Sequence, residues 1–553
     1  MLDKKIKVKV NDKEVEVNHD TSLEELAKIY QDDFEYPIIL ARVNNMLKNL
    51  TEVVSENSEI EFLDLKDRDA NRVYLNGLIF LTIFAIKELY GYDVCVNIRH
   101  SIDKGLYIEI TKQINRESIK RILDKMKELS NADLRIVKCN VKRLEAINYF
   151  EKVGAHKKAG VLRYNTNSYV TLYKLANIYD FYFSEMPPST KVIDRFDIEY
   201  LNNHGFILLY PSAYNPDKIK KYVHHPQLFD TFKENHEWAK IMKVSNVTDL
   251  NDMISRGIAS SLIKIDETIQ SNRLLEIAKD IYNHKDRVRI VLIAGPSSSG
   301  KTTTSLKLTN NLRGFGIEPK KISMDDYFVD REKTPKREDG SYDYECLEAL
   351  EIELFNNNVS DLLAGKSIIG PRYNFIKGEK EFINHMELNK DEILIIEGIH
   401  ALNPKILSNI TRSRKYKIYI SPTTGINIDE HNRISTSDNR MLRRIVRDNR
   451  TRNYTVEDTL EMWSRVREGE ENYIFPFQDE ANVTFNSALL YELAVLKIYV
   501  EPLLYSVKPE SKYYEEARRL INMLRVFLPL PADGIPDDSL LREFIGGSYY
   551  NVD

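Results

Sequence analysis

The chain has 553 residues, 79 Lys and Arg against 84 Asp and Glu, a formal net charge of −5 and 42% hydrophobic residues. That length exceeds one core and calls for roughly three or four domains, while the mild charge sets up no global field toward nucleic acid or membrane. Cys95, Cys139 and Cys346 lie far apart with no Cys-x-x-Cys spacing, which argues against a disulfide framework or a structural zinc site. The opening Met-Leu-Asp-Lys-Lys lacks a signal-peptide core, and the most apolar run, 78–86, is about half of what a bilayer requires. A cytoplasmic protein with no membrane partner is expected.

Residues 5–10 and 14–17 alternate apolar with polar side chains around an Asn11-Asp12 turn signal, as a hairpin does. Thr21-Ser-Leu-Glu24 has the spacing of a capping box opening a helix over 23–30, and strands follow near 38–43 and 59–63. The order ββαββ predicts a small β-grasp domain over 1–63. Residues 64–215 form a second α+β domain, with helices over 73–90 and 118–129 and strands over 94–99 and 105–110. Residues 216–285 are charged and helical in pattern, notably 271–282, and serve as a connector. Its His224-His225 pair has no acid or His at helical spacing to complete a metal site, so loop histidines are the simpler reading.

A complete phosphate-binding loop, Gly-Pro-Ser-Ser-Ser-Gly-Lys-Thr, occupies 295–302. The apolar run before it reads as a buried parallel strand, and Leu308 and Leu312 give the run after it helical spacing. Gly295 and Gly300 allow consecutive N–H groups to turn onto phosphate oxygens at the positive end of the helix. The predicted nucleotide-binding set is therefore Gly295, Ser297, Ser298, Ser299, Gly300, Lys301, Thr302 and Thr303. Within it Lys301 supplies charge to the β- and γ-phosphates and the Thr302 hydroxyl faces Mg²⁺.

Four further signatures follow. A short strand from Lys320 ends in Asp325 and Asp326, placing a carboxylate at the sheet edge where it could take a proton from an attacking hydroxyl. The strand 391–397 ends in Glu397, which sits as a second metal-site acid. Five arginines fall within 441–452, with Arg443, Arg447 and Arg450 on one helical face and Arg440 and Arg444 on another, as a phosphate-covering lid requires. Gly370-Pro-Arg-Tyr-Asn-Phe375 reads as a loop offering aromatic surface to a sugar or base. Together these predict an α/β P-loop kinase domain over 286–505, with a parallel sheet flanked by helices, and a C-terminal extension over 506–553.

In their order and spacing these motifs resemble the uridine kinase and phosphoribulokinase family, over about 288–487. The resemblance implies ATP and Mg²⁺ as cofactors and a small hydroxyl-bearing acceptor such as a nucleoside. It places the base at Asp325, with Lys301 and Arg447 beside it in catalysis. It assigns Glu345, Tyr373, Phe375, Arg444 and Arg452 to substrate, and Thr302 with Glu397 to the metal. Two departures bear on substrate: Glu345 stands where the family usually has Asp, and Arg452-Asn-Tyr454 lacks the second arginine of an Arg-x-Arg pair. The front resembles the TGS domain, and His100-Ser-Ile-Asp-Lys-Gly-Leu-Tyr-Ile-Glu109 resembles the additional domain that follows TGS in threonyl-tRNA synthetases. The His-x-x-x-His pair of an editing site is missing, which leaves a scaffold for RNA or a regulatory ligand. The three-part arrangement resembles a bacterial group of uridine kinase-like enzymes, and a homo-oligomer is the expected assembly. The competing readings are a sugar-phosphate kinase and an RNA-linked regulatory NTPase. Because residues 1–215 supply no phosphate, metal or base ligand, a truncation starting near Ser271 is expected to retain transfer, provided it exposes no apolar face.

Overall fold

Along the strand Ile290–Ala294 every side chain is buried, and successive residues feed different cores. Ile290, Leu292 and Ala294 join a cluster with Ile322, Leu394 and Phe355, while Val291 and Ile293 meet Leu308, Ile395 and Ile418 on the other face. A strand covered on both faces needs a continuous apolar run, which this sequence has. The computed structural model describes residues 5–11, 13–103, 105–375 and 377–552. This strand is the centre of a five-stranded sheet, ordered Pro319–Ser323, Ile393–Glu397, Ile290–Ala294, Lys415–Ser421, Val483–Asn486. All four pairings are parallel, so the strand ends that carry Ser323, Glu397, Ala294 and Ser421 lie along one edge.

In front of this sheet, Lys13–Asn18, Lys5–Val10, Ser58–Leu63, Leu40–Val43 and Met46–Asn49 form a second five-stranded sheet, with Lys5–Val10 parallel to Ser58–Leu63. The helix Leu23–Tyr30 closes it, and its capping box uses Ser22 and Glu25 rather than the expected Thr21 and Glu24. Both Thr21 and Ser22 can cap; Thr21 instead donates its hydroxyl to the Asn18 carbonyl at 2.7 Å. Asp12 of the predicted turn and Lys104 of the synthetase-like segment lie outside the described residues.

The next unit packs the helices Arg68–Tyr90 and Arg116–Asn131 on a sheet ordered Asp197–Asn202, Gly205–Leu209, Gly105–Ile110, Val96–Ile102. At 23 residues Arg68–Tyr90 is long and apolar enough to cross a membrane, but Leu78, Phe80, Ile83 and Ile86 are buried in this core. Three helices, Pro226–Ile241, Val247–Ser255 and Ala259–Asn283, then lead to the parallel sheet. His224 Nδ1 meets the Tyr222 hydroxyl at 2.9 Å, and His225 Nδ1 meets Asp479 Oδ2 at 2.6 Å. Among the described residues no cluster of His, Cys, Asp and Glu could hold a metal by itself.

One core crosses these segments. Phe150, Leu172 and Phe181 share it with Val247, Leu250 and Leu262, with Met441, Leu442 and Ile445, and with Leu520, Leu524 and Phe544. The front unit is also bonded to the segment before the arginine-rich helix: Ile98 N donates to Glu430 O at 2.8 Å, and Asn427 Nδ2 to Ile98 O at 3.0 Å. The condition attached to the Ser271 truncation is therefore not met, because it would strip one side of this core.

Candidate active site

The phosphate loop leaves the central strand at Ala294 and enters the helix Lys301–Gly314 through Gly300, whose φ of +84° lies in the left-handed region. A side chain on Gly295 would meet Ile420 O at 2.4 Å, so only glycine lets the loop pass the neighbouring strand. Lys301 folds back over the loop, donating to Gly295 O at 3.0 Å and Pro296 O at 3.2 Å. The hydroxyls of Ser298 and Ser299 are buried without a partner among the described residues, as befits a loop shaped for an oxygen-rich ligand. Ser297 is held from the arginine-rich helix, its Oγ by Arg444 Nη1 at 2.9 Å and its carbonyl by Arg440 Nη1 at 3.1 Å. Thr303 is engaged differently from expectation: its N–H and hydroxyl both donate to Glu543.

Asp325 and Asp326 lie in a 3-10 turn directly after Pro319–Ser323. Asp325 opens onto the cleft, yet the surrounding protein crowds out its water and lifts its pKa to about 6, with the charge of Glu397 adding to the rise and Lys301 and Arg452 opposing it. Asp326 turns away and accepts from Tyr373 N at 3.4 Å. Glu397, buried at its strand end, accepts from Ser323 Oγ at 3.3 Å. The Glu397 carboxylate, near enough to disfavour ionisation of Asp325, makes this strand edge a place that suits a cation. Mg²⁺ needs only one or two protein carboxylates when phosphates complete its shell, so Glu397 and Thr302 fit it.

Glu345 sits against Gly469 so closely that a Cβ there would come within 2.4 Å of its own Cβ. Burial, then the charge of Glu470, raises Glu345 to about 7, against the pull of Arg444. Tyr373 is buried, its hydroxyl without a partner among the described residues and its ring 5.0 Å from exposed Phe375 and 5.7 Å from Phe328. Tyr373 and Phe375 stand on a hairpin, not a loop: Ile368–Asn374 pairs antiparallel with Glu379–Met386. Pro371 is accommodated at a register irregularity beside Gly370, where Asn384 Nδ2 donates to the Pro371 carbonyl at 2.8 Å.

The helix Thr436–Arg452 divides its arginines between two jobs. Arg440 and Arg443 are fully buried; Arg440 pairs with Glu470, while Arg443 binds Glu492 at 2.6 Å and the Ser487 carbonyl at 2.8 Å. They brace the loop. Arg444, Arg447 and Arg452 instead converge on Asp448, at 3.0, 2.7 and 3.4 Å. Burial works to raise Asp448, but those three charges prevail and hold it below the usual range. The expected shared face of Arg443, Arg447 and Arg450 does not act together, since Arg450 donates to the carbonyls of Glu543 and Phe544. Sequence reasoning missed Asp448, Glu470 and Glu492. Of these only Asp448, four residues from both Arg444 and Arg452, was visible as a helical ion-pair pattern.

A phosphate cradle at the carboxyl edge of a parallel sheet, with Asp325 and Glu397 at neighbouring strand ends, defines a P-loop nucleotide-binding fold. Comparison adds a family likeness: residues 290–492 match the model of the Phosphoribulokinase / Uridine kinase family. A uridine kinase of Staphylococcus aureus (strain JH9) is 27% identical over 195 residues, 35% of this chain and 85% of the relative. Among solved structures, one described as a possible uridine kinase from Bacillus stearothermophilus is 21% identical, with a TM-score of 0.25, covering 39% of this chain and 98% of that one. A Silicibacter sp. TM1040 structure assigned to a fructose transport system kinase is 15% identical, with a TM-score of 0.28, covering 38% of this chain and 98% of that one.

Proposed function

We propose that the protein transfers the γ-phosphoryl group of ATP to the 5′-hydroxyl of uridine or a related nucleoside. The observation that carries this reading is Asp325, a carboxylate between Glu397, Lys301 and Arg452, with Tyr373 and Phe375 on the hairpin packed behind Asp326. Asp325 takes the proton from the acceptor hydroxyl as it attacks. Lys301 turns from the Gly295 and Pro296 carbonyls to the phosphates, and Arg444, Arg447 and Arg452 offset developing charge while Asp448 fixes their spread. Glu345 grips the acceptor's ribose hydroxyls. Thr302 and Glu397 would hold Mg²⁺, which would supply charge neutralisation to the β- and γ-phosphates. The aromatic wall favours a nucleobase over a sugar phosphate, which would call for cations in that place. The β-grasp front and the unit behind it support the TGS-like and synthetase-like readings, as a scaffold for RNA or a regulatory ligand. An acceptor screen with ATP and Mg²⁺, covering nucleosides, sugar phosphates and no acceptor, tests all of this. Transfer to a sugar phosphate alone, or hydrolysis alone, rejects the nucleoside reading.

A further inference from the structure

The chain beyond residue 492 lies outside the family match, and its end returns to the phosphate loop. Glu543, on the short helix Arg542–Ile545, points its carboxylate at the first turn of the helix Lys301–Gly314. Oε2 accepts from Thr303 N at 3.1 Å and from Thr303 Oγ1 at 2.6 Å. Both residues are buried, Thr303 completely and Glu543 to 6% exposure. Leu540 covers the loop beside them, 3.7 Å from where a Cβ on Gly300 would stand. The arginine-rich helix holds the segment from its other side: Arg450 donates to the carbonyls of Glu543 at 3.1 Å and Phe544 at 3.3 Å, and Arg443 lies 4.9 Å over the Phe544 ring. Lys307 pairs with Asp538 at 3.0 Å.

The amide that Glu543 occupies is one of the orphan N–H groups of a helix N-terminus, the kind a phosphate loop offers to the α- and β-phosphates. A carboxylate resembles a phosphate edge in the respects that matter there: it is anionic, accepts only, and presents paired oxygens. We propose that Glu543 is a built-in competitor for the nucleotide, seated where a phosphate would otherwise take the Thr303 N–H and hydroxyl, and that it sets the affinity for the phosphate donor. The proposal rests on the loop being a nucleotide site, as argued above. Two effects act in the same direction. The nucleotide must break two charge-assisted hydrogen bonds, and its phosphates meet a fixed negative charge. Leu540, Leu541 and Phe544 are fully buried, so the segment's backbone stays in place and only the Glu543 side chain swings aside.

The test is calorimetric titration of Mg·ATP and Mg·ADP into full-length wild type, Glu543→Gln and Glu543→Ala, with melting curves taken without nucleotide. Glu543→Ala should bind both nucleotides about tenfold tighter or more, given the strength of hydrogen bonds to charged groups. Glu543→Gln, which keeps an acceptor and loses the charge, should fall between. Without nucleotide the order reverses, and wild type melts highest. Should the alanine variant not fold, the isosteric glutamine variant decides by itself. Folded variants that bind equally or more weakly than wild type would overturn the proposal and leave the kinase reading intact. Absence of binding in all three proteins, wild type included, would overturn the nucleotide reading and this proposal with it.

Discussion

Lys158 and Asp429, 271 residues apart, form an ion pair almost entirely out of solvent, with Nζ and Oδ1 2.9 Å apart and side-chain exposures of 1% and 0%. Lys158 belongs to the front unit, and Asp429 to the segment leading into the arginine-rich helix. Asp180 joins from the front unit at 2.6 Å, and His431 pairs with Asp180 in turn. Burial disfavours the Lys158 charge, but its two carboxylates outweigh that and raise its pKa. Removing Lys158 leaves Asp180 with His431 but takes the ammonium from buried Asp429, and breaking a buried pair in this way costs about 3–5 kcal/mol. Lys158→Met should therefore lower the urea midpoint by a corresponding amount. A variant within 1 kcal/mol of wild type would show that the cluster does not couple the units.

The same packing predicts the fate of a chain starting near Ser271. It would lose Val244, Val247, Leu250, Leu262 and Ile263, all buried in the core that contains Met441, Leu442 and Ile445. At about 1.5–3 kcal/mol for each buried side chain, the loss matches or exceeds the stability of an ordinary domain. The truncated protein should be recovered from the insoluble fraction. Recovery as a soluble monodisperse species with transfer activity would restore the sequence-based expectation.

What could be read from the sequence was what lies close along it. The phosphate loop between strand and helix, Glu397 at its strand end and the Leu23–Tyr30 helix each rest on a few adjacent residues, and the structure has them. The hairpin bearing Tyr373 was hidden because Gly370-Pro371 ordinarily breaks a strand, and only its partner Glu379–Met386 shows the irregularity that admits proline. The Thr303–Glu543 contact spans 240 residues and has no local signature at all. The arginines were legible as a group but not in their division: a guanidinium bracing a loop and one facing a substrate look alike until their carboxylates are placed.

Asp325 and Asp326 are neighbours with different surroundings, and substitution should separate them. Asp325→Asn removes the base and should lower kcat by about 10²–10⁴-fold with ATP affinity little changed. Asp326 accepts from the Tyr373 N–H, a role asparagine can fill, so Asp326→Asn should stay within about tenfold of wild type. Steady-state kinetics on both variants checks this. The reverse pattern would move the base by one residue.

Lys301→Ala should abolish transfer while leaving the melting temperature within a few degrees. Among the described residues Lys301 bonds only to the Gly295 and Pro296 carbonyls of its own loop, so its loss removes phosphate charge and little packing. Turnover near that of wild type in a folded variant would take the loop out of the mechanism.

Asp266 offers a pH test away from the cleft. It lies on the helix Ala259–Asn283 and accepts from Leu490 N at 2.6 Å. Burial, reinforced by the charges of Glu267 and Glu492 and opposed by that N–H, raises its pKa to about 8. A carboxyl raised above its unfolded value binds its proton more tightly in the folded state. Its contribution is therefore complete below about pH 4 and is lost as pH climbs toward 8. Asp266→Asn keeps the acceptor for Leu490 and cannot ionise. The stability difference in its favour should grow by about 1 kcal/mol per pH unit between pH 4 and 8 and level off above that. Urea unfolding of both proteins across that range gives the slope. A difference that is flat with pH would mean that Asp266 is ionised without penalty, its burial relieved by water in the cavity it shares with Gln270 and Trp238.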